Sequence, residues 1–97
     1  MLRFEWDEAK NKENRRKHRV SFEEAQTVFY DDRASLIEDE DENDANEERF
    51  LLLGLSATLR LLVVCHCYRA KDQVIRLISA RRASATERRD YETRWKK

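Results

Sequence analysis

The sequence predicts a small α+β domain in which a twisted antiparallel sheet packs with two N-terminal helices and one C-terminal helix. Three apolar runs, at 49–55, 60–68 and 73–81, are separated by short polar links, as in successive hairpins. Each of three charged segments is preceded by a residue suited to a helix N-cap, namely Asp7, Ser21 or Ser84. The predicted order of elements is β-α-α-β-β-β-β-α.

The N-terminal part predicts a short strand and then a polar helix. Phe4 and Trp6 alternate with charged residues, which is typical of a strand. Asp7 can cap a helix that runs to about Lys17. Because Ala9 is the only apolar residue of this helix, we expect it to be a poor core element that offers a polar surface.

A second helix is predicted from Ser21, which forms a capping box with Glu24. Val20 and Ala25 occupy the positions of a hydrophobic staple. Its apolar stripe consists of Phe22, Ala25, Val28 and Phe29. This stripe predicts a helix that packs on the sheet.

Four strands and a last helix complete the prediction. "ASLIE" is the first of these strands, and the run at 60–68 is apolar enough for a central strand covered on both faces. Ser84 and Glu87 form a second capping box. In the helix that follows, Glu87, Tyr91 and Trp95 share one face, and we expect the Tyr91 ring to pack on the sheet.

Length and charge indicate one domain, residues 1–97, with a modest core and a heavily charged surface. The chain has 97 residues, of which 41% are charged, and its formal net charge is zero. Eight of its 20 acidic residues lie at 38–48, a segment without bases that we expect to be an extended, solvated loop. The rest carries 20 bases against 12 acids, so a cationic face is predicted.

Location and metal content are predicted from what the sequence lacks. No apolar run approaches the roughly 20 residues of a membrane span, and the N-terminus lacks a signal-peptide segment, so we expect a cytoplasmic protein without membrane contact. Cys65 and Cys67 flank His66, but His66 would point to the opposite face of the strand. We therefore expect core-facing thiols, no metal site and no cofactor.

The acidic segment does not match the calcium-binding loop of an EF-hand at two required positions. Asp39, Asp41 and Asn43 match three ligand positions of an EF-hand loop. However, Asp44 stands where glycine is needed, and Phe50 stands where a bidentate glutamate is needed.

Five segments in register carry a family resemblance: "FEWDEAK", "RKHRVSFEEAQTVF", "ERFLLLGLS", "RLLVV" and "VIRLISARRASATERRDYE". Together they resemble the BrnT family of type II toxins, small ribonucleases related in fold to the RelE group. The resemblance implies a RelE-like domain that cleaves RNA and inhibits translation. It also implies a BrnA-like antitoxin with a ribbon-helix-helix domain, and contact with operator DNA only through that antitoxin.

The chain departs from the family pattern at Arg19, where the family usually has glycine. If this position needs a left-handed backbone, the side chain costs roughly 1 kcal/mol.

Arginines of the last strand are the first candidates for catalysis. A ribonuclease without a metal needs cations for the charge of the phosphorane, and arginine binds two phosphate oxygens at once. Arg81, at the strand exit, is predicted to stabilise this charge. Alternation puts Arg76 and Arg81 on opposite faces unless a bulge intervenes, so Arg76 is either catalytic or an outward ion-pairing residue. Arg82 is predicted to bind RNA or antitoxin.

Other candidates lie outside that strand. His18, at the C-terminal end of the first helix, is either a general acid or phosphate ligand, or a residue that satisfies helix carbonyls. Lys10 and Arg49 match basic positions of the family and would complete the catalytic cationic surface. Glu48 is the nearest candidate base, and His66 is expected to be a buried core residue.

Two other function classes remain open. The chain is alternatively a non-enzymatic interaction module whose basic face binds a partner without cleavage. A plain nucleic-acid-binding protein is disfavoured, because no aromatic platform interleaves with the basic residues of the sequence.

Overall fold

The computed structural model of the chain describes residues 2–38 and 48–95. Its strands are β1 (Phe4–Glu5), β2 (Ser35–Ile37), β3 (Phe50–Leu55), β4 (Leu61–Arg69) and β5 (Val74–Arg82). Its helices are α1 (Glu8–His18), α2 (Phe22–Ala25) and α3 (Ala85–Trp95), and a 3-10 turn at Gln26–Tyr30 continues α2. The predicted α+β class and element order are confirmed. Except for its two end residues, the acidic segment 38–48 lies outside the described residues, and so do the predictions made for it.

The strands form one five-stranded sheet in the order β1-β5-β4-β3-β2. The pairs formed by consecutive strands from β2 to β5 are antiparallel, as predicted. β1, in contrast, runs parallel to β5, with Phe4 opposite Ile75. A hairpin turn makes consecutive strands antiparallel, whereas no turn joins β1 to β5 and their relative direction is set by packing alone.

The two faces of the sheet carry separate cores. Phe22, Val28 and Leu77 belong to the larger core, which lies on the face that we call the α2 face. On the opposite face, which we call the α3 face, Tyr91 packs on Leu53, Leu61 and Val63. The predicted packing of the Tyr91 ring is confirmed.

The N-terminal caps form as predicted, but α2 is shorter than expected. The Asp7 side chain accepts a hydrogen bond from Ala9 N at the start of α1. Ser21 Oγ accepts from Glu24 N, so one half of the capping box is present. α2 tightens after Ala25 into the 3-10 turn, where Thr27 Oγ1 donates to a carbonyl of the preceding turn.

α1 is a core element through two amides, which corrects the prediction that it would be only a polar surface. Asn11 and Asn14 are its buried residues. Asn14 Nδ2 donates to Val20 O and Ala80 O at 2.8 Å each, and Asn14 Oδ1 accepts from Ala80 N at 3.1 Å. β1 covers only the first part of β5, so Asn14 satisfies backbone groups on the edge that β1 leaves open.

Candidate active site

The candidate residues are distributed over two ends of the sheet. At the upper end, β3 ends at Leu55, β4 begins at Leu61 and β5 ends at Arg82. At the lower end, β3 begins at Phe50 and β5 begins at Val74.

A β-bulge decides which face the strand arginines occupy. Cys65 pairs with Ser79 and His66 pairs with Leu77, so β5 has one extra residue between these two pairs. This residue shifts the alternation, and Arg76 and Arg81 consequently lie on the same α3 face. Their partners on β4 are four residues apart, which corresponds to about 13 Å between the two backbones.

Arg76 lies near the lower end and is held by an ion pair. Its Nη1 donates to Glu5 Oε2 at 3.0 Å, across the parallel β1–β5 pair. Arg69 Nε lies 3.8 Å from the same carboxylate oxygen. This contact is the outward ion pair that was one of the two predictions for Arg76.

Arg81 makes a two-pronged contact with Glu87 in the first turn of α3. Its Nη1 and Nη2 donate to the two carboxylate oxygens at 2.8 and 2.9 Å. Hydrogen bonds from Arg81 are the main reason that the pKa of Glu87 falls to about 2. Glu87 also accepts from Ser84 N and donates its own N–H to Ser84 Oγ, so the predicted capping box is complete. Arg81 therefore helps to anchor α3, a role that sequence reasoning did not give it.

Arg82 and His18 come to the same level at the upper end. Asn14 bonds Ala80, and from there α1 advances about 6 Å to His18 while β5 advances about 6.6 Å to Arg82. Both elements run towards the upper end, because Arg60 Nη2, just before β4, donates to Arg19 O at 3.0 Å. All residues of the last turn of α1 are basic: Arg15, Arg16, Lys17 and His18.

Lys10 and Arg49 lie away from this group. Lys10 is exposed in the N-terminal half of α1, about 12 Å along the helix from His18. Arg49 and Glu48 immediately precede β3 at the lower end of the sheet. The structure thus brings His18, Arg81 and Arg82 to one end, and it leaves the other candidates elsewhere.

Sequence reasoning missed an ion pair at the upper end. The Glu24 carboxylate binds the Arg60 guanidinium, with Arg60 Nε at 2.9 Å, and it also accepts from Ser56 Oγ and Thr58 Oγ1. Hydrogen bonds from Arg60 are the main cause that lowers the pKa of Glu24 to about 2. Because the Glu24 carboxylate binds these groups, it does not accept a hydrogen bond from Ser21 N, and the capping box of α2 stays half formed. Arg60 is 36 residues away in sequence, so no local pattern could have revealed the pair.

His66 is a core residue, as predicted. Its side chain is fully buried, Nδ1 lies 3.1 Å from Val64 O, and Nε2 has no hydrogen-bond partner among the described residues. Burial lowers the pKa of His66 below its usual value of 6.5. This places His66 in the α2-face core, between β3 and the 3-10 turn, and away from the upper end.

Residues 2–38 and 48–95 contain neither a membrane-spanning helix nor a metal-binding cluster. None of the helices there has the length and apolar character of a membrane span. The same residues contain no group of three or more His, Cys, Asp or Glu side chains placed to hold a metal ion. Cys65 and Cys67 are buried thiols that form no disulfide.

The fold is that of a known class of small α+β toxin. The crystal structure of the ribonuclease toxin BrnT of Brucella abortus, determined at 1.1 Å resolution, matches it with a TM-score of 0.64. The two chains are 21% identical, and the match covers 87% of this chain and 99% of that one. At this identity the likeness shows the fold alone.

Sequence then identifies the family. A family model for the ribonuclease toxin BrnT of type II toxin-antitoxin systems matches residues 6–87. The chain belongs to this family, and an antitoxin is therefore its partner. No curated protein sequence matches it.

Proposed function

We propose that this chain is a metal-independent endoribonuclease toxin that cleaves RNA at the upper end of the sheet and thereby inhibits translation. The observation that carries the proposal is the convergence of α1 and β5 there. A titratable imidazole, His18, and two guanidinium groups, Arg81 and Arg82, share this end. They can supply the general acid and the cations that RNA cleavage needs in the absence of a metal ion.

The proposed reaction is an internal transfer within the RNA. The 2′-oxygen forms a bond to phosphorus, the bond from phosphorus to the 5′-oxygen breaks, and a base takes the 2′-hydroxyl proton. His18 donates a proton to the departing 5′-oxygen, and Arg81 and Arg82 stabilise the charge of the phosphorane. For Arg81 this requires the phosphate to compete with Glu87, whose carboxylate already occupies the guanidinium fork.

The remaining candidates have supporting roles in this proposal. Arg76 and Arg49, at or near the lower end, and Lys10, on α1, are too far from His18 to contact the same phosphate. We assign them to neighbouring phosphates of the RNA strand, where they add affinity that depends on salt. Glu48, also at the lower end, is no longer favoured as the base.

The partner proposed for the chain is a BrnA-like antitoxin with a ribbon-helix-helix domain. The family implies an antitoxin. Operator DNA would be bound only through the antitoxin, and the complex would act in the cytoplasm. Co-expression of the neighbouring reading frame should abolish toxicity, and a frame without any protective effect would contradict this assignment.

One observation favours the alternative of a non-enzymatic interaction module. Arg76 and Arg81, two of the predicted catalytic residues, are engaged in ion pairs with Glu5 and Glu87. Such contacts are what purely structural arginines would make. The experiment must therefore separate the two roles of Arg81.

The test is single-turnover cleavage of RNA in EDTA by wild-type protein, Arg81→Ala and Glu87→Gln. If Arg81 stabilises the phosphorane, Arg81→Ala should lower the rate about a hundredfold, the scale of one lost electrostatic donor. Glu87→Gln removes the same ion pair but keeps the guanidinium. It should therefore retain the rate within about threefold.

Three results would contradict the proposal. Equal losses in Arg81→Ala and Glu87→Gln would make Arg81 an anchor of α3 only. Activity that disappears in EDTA and returns with magnesium would exclude the metal-independent mechanism. No cleavage by the wild-type protein, together with intact antitoxin binding, would support the interaction module.

A further inference from the structure

Six aromatic rings from four separate parts of the chain form one cluster at the lower end of the α2 face. Successive ring centroids are 4.8–5.4 Å apart from Phe4 through Phe29 and His66 to Tyr68. Phe50 lies 5.4 Å from Tyr68, and Tyr30 lies 6.4 Å from Phe4. We call this cluster the aromatic end, and its members are Phe4, Phe29, Tyr30, Phe50, His66 and Tyr68.

The aromatic end is also where apolar side chains are exposed. The exposed large apolar residues of the described chain are Leu2 (42%), Tyr30 (61%), Leu36 (55%), Tyr68 (39%) and Leu59 (78%). Four of these five lie in or beside the aromatic end, because Leu2 precedes Phe4 and Leu36 lies on the neighbouring edge strand. Leu59 alone is remote, in the turn between β3 and β4 at the upper end. Apolar exposure concentrated in this way indicates a protein interface.

A pocket of about 540 Å³ opens in this surface. Leu2, Phe29 and Tyr68 give it apolar walls, and Arg3, Asp72 and Gln73 give it polar groups. The volume is within the range of about 300–1,000 Å³ typical of binding pockets. Such a pocket can receive one large apolar side chain, and Arg3 can bind a carboxylate beside it.

The turn that supplies the polar wall has an unusual backbone. Ala70, Lys71 and Asp72 have φ values of 53°, 55° and 70°, and none of them is glycine. Each left-handed residue of this kind costs roughly 1 kcal/mol or more. Strain of this size is typical of segments whose shape serves a binding site.

We propose that the aromatic end is the docking surface for the antitoxin. It takes a segment of the antitoxin with a large apolar side chain for the pocket and a neighbouring carboxylate for Arg3. The inference rests on the antitoxin partner that the family implies, and not on RNA cleavage. A type II toxin must present such an interface. Four of the five exposed large apolar residues of the described chain lie in or beside this surface, and the pocket opens within it.

This surface is separate from the proposed cleavage site. The aromatic end lies at the lower end of the sheet, whereas His18 and Arg82 lie at the upper end. Substitutions in the aromatic end should therefore change antitoxin binding and leave RNA cleavage intact. RNA as the occupant is less favoured, because Arg81 and Arg82, the groups proposed to act on the scissile phosphate, are at the far end, and the lower-end arginines Arg76 and Arg49 are proposed to add only affinity.

The experiment measures binding of the purified antitoxin, encoded by the neighbouring reading frame, to the full toxin chain and its variants. Tyr68→Ser and Leu36→Asp should each weaken binding about thirtyfold or more, the scale of an interface hot spot. Leu59→Asp is the matched control, since it places the same charge at an exposed leucine outside the surface. It should bind like the wild-type protein.

Every other outcome overturns the inference. Binding by both variants within threefold of wild type, or an equal loss in Leu59→Asp, would show that the antitoxin docks elsewhere. Loss of RNA affinity with intact antitoxin binding would make the aromatic end a nucleic-acid surface. Loss of a toxin homodimer in sedimentation, again with intact antitoxin binding, would make it a self-association surface. If Tyr68→Ser melts early, Leu36→Asp decides alone, because its side chain is already exposed.

The same variants separate this inference from the proposed function. RNA cleavage is measured on each protein without antitoxin. Absent cleavage by the wild-type protein, with antitoxin binding lost in the variants, would leave the docking surface valid and remove the ribonuclease proposal. Normal cleavage by variants that the antitoxin no longer inhibits would support both.

Discussion

α1 and α3 are both eleven residues long and rich in charge, but they attach to the sheet by different interactions. α1 attaches through the amides of Asn11 and Asn14, which bond backbone groups of Val20, of Phe22 at the start of α2, and of β5. α3 attaches through the ring of Tyr91 and through side-chain contacts, with Tyr91 Oη donating to Asp31 Oδ2 at 2.6 Å. The attachment of α1 thus satisfies backbone hydrogen-bonding groups, whereas that of α3 consists of contacts between side chains.

A polar helix can therefore stabilise a small fold by satisfying buried backbone groups of the sheet. Ala80 has an N–H and a carbonyl on an edge of β5 that β1 does not reach. Buried groups of this kind are expensive to leave without a partner, whereas a side-chain pair that is lost can be hydrated in part. We therefore expect α1 to be more sensitive than α3 to a single substitution.

The largest expected effect is at Asn14. Asn14→Ala leaves Val20 O, Ala80 O and Ala80 N without their partner, and each loss costs about 1–3 kcal/mol. The free energy of unfolding should fall by about 3 kcal/mol or more in urea denaturation. Lys12→Ala, on the exposed side of the same helix, should change it by less than about 0.5 kcal/mol. A loss under 1 kcal/mol at Asn14 would mean that water replaces the amide.

A smaller effect is expected at the corresponding position of α3. Tyr91→Phe keeps the ring in the core and removes only the hydrogen bond to the Asp31 carboxylate, worth about 2 kcal/mol. Tyr30→Phe, an exposed tyrosine, is the control and should melt like the wild-type protein. The comparison of the two helices would fail if Tyr91→Phe were as damaging as Asn14→Ala.

Acid should lower the stability of the fold in two pH windows, one that begins near the usual pKa of histidine and one that begins near that of glutamate. The pKa of His66 is lowered from 6.5 by burial, so stability should begin to fall as the pH drops below about 6.5. The pKa values of Glu24 and Glu87 are lowered from 4.5 to about 2, so their contributions are present above pH 4.5 and are lost between 4.5 and 2. Thermal melting across pH 2–8 measures both windows.

One variant assigns the lower window to a residue. Glu87→Gln should reduce the dependence of the melting temperature on pH only in the lower window, because glutamine does not titrate. If it changed the upper window instead, the assignment to Glu87 would be wrong. The Asn14–Ala80 contact has no ionisable group, so it should contribute equally at every pH.

The smallest expected effect is a gain in stability at Arg19. Its φ of 61° and ψ of 29° are left-handed, as the family's glycine at this position suggested. Arg19→Gly should therefore raise the free energy of unfolding by roughly 1 kcal/mol, and the bond from Arg60 to the Arg19 carbonyl would be kept. Lys12→Gly, inside α1, should lower it by about as much. If urea denaturation showed that both variants change the free energy of unfolding in the same direction, this conformational explanation would be contradicted.

Features that depend on neighbours within a few residues could be predicted from the sequence. The order of elements, the cap at Asp7 and the capping box of Ser84 and Glu87 were predicted and are present. The same local patterns, read together in register, also indicated the family. They were readable because alternation and capping act over two to four residues.

Contacts between groups far apart in the chain could be read only from the folded structure. The bulge in β5 brings Arg76 and Arg81 to one face, and Arg60 finds Glu24 across 36 residues. The parallel β1, the burial of Asn14 and the aromatic end are also of this kind. Each of them depends on the register and packing of segments far apart in the chain, and no periodicity or spacing within one segment encodes such a pairing.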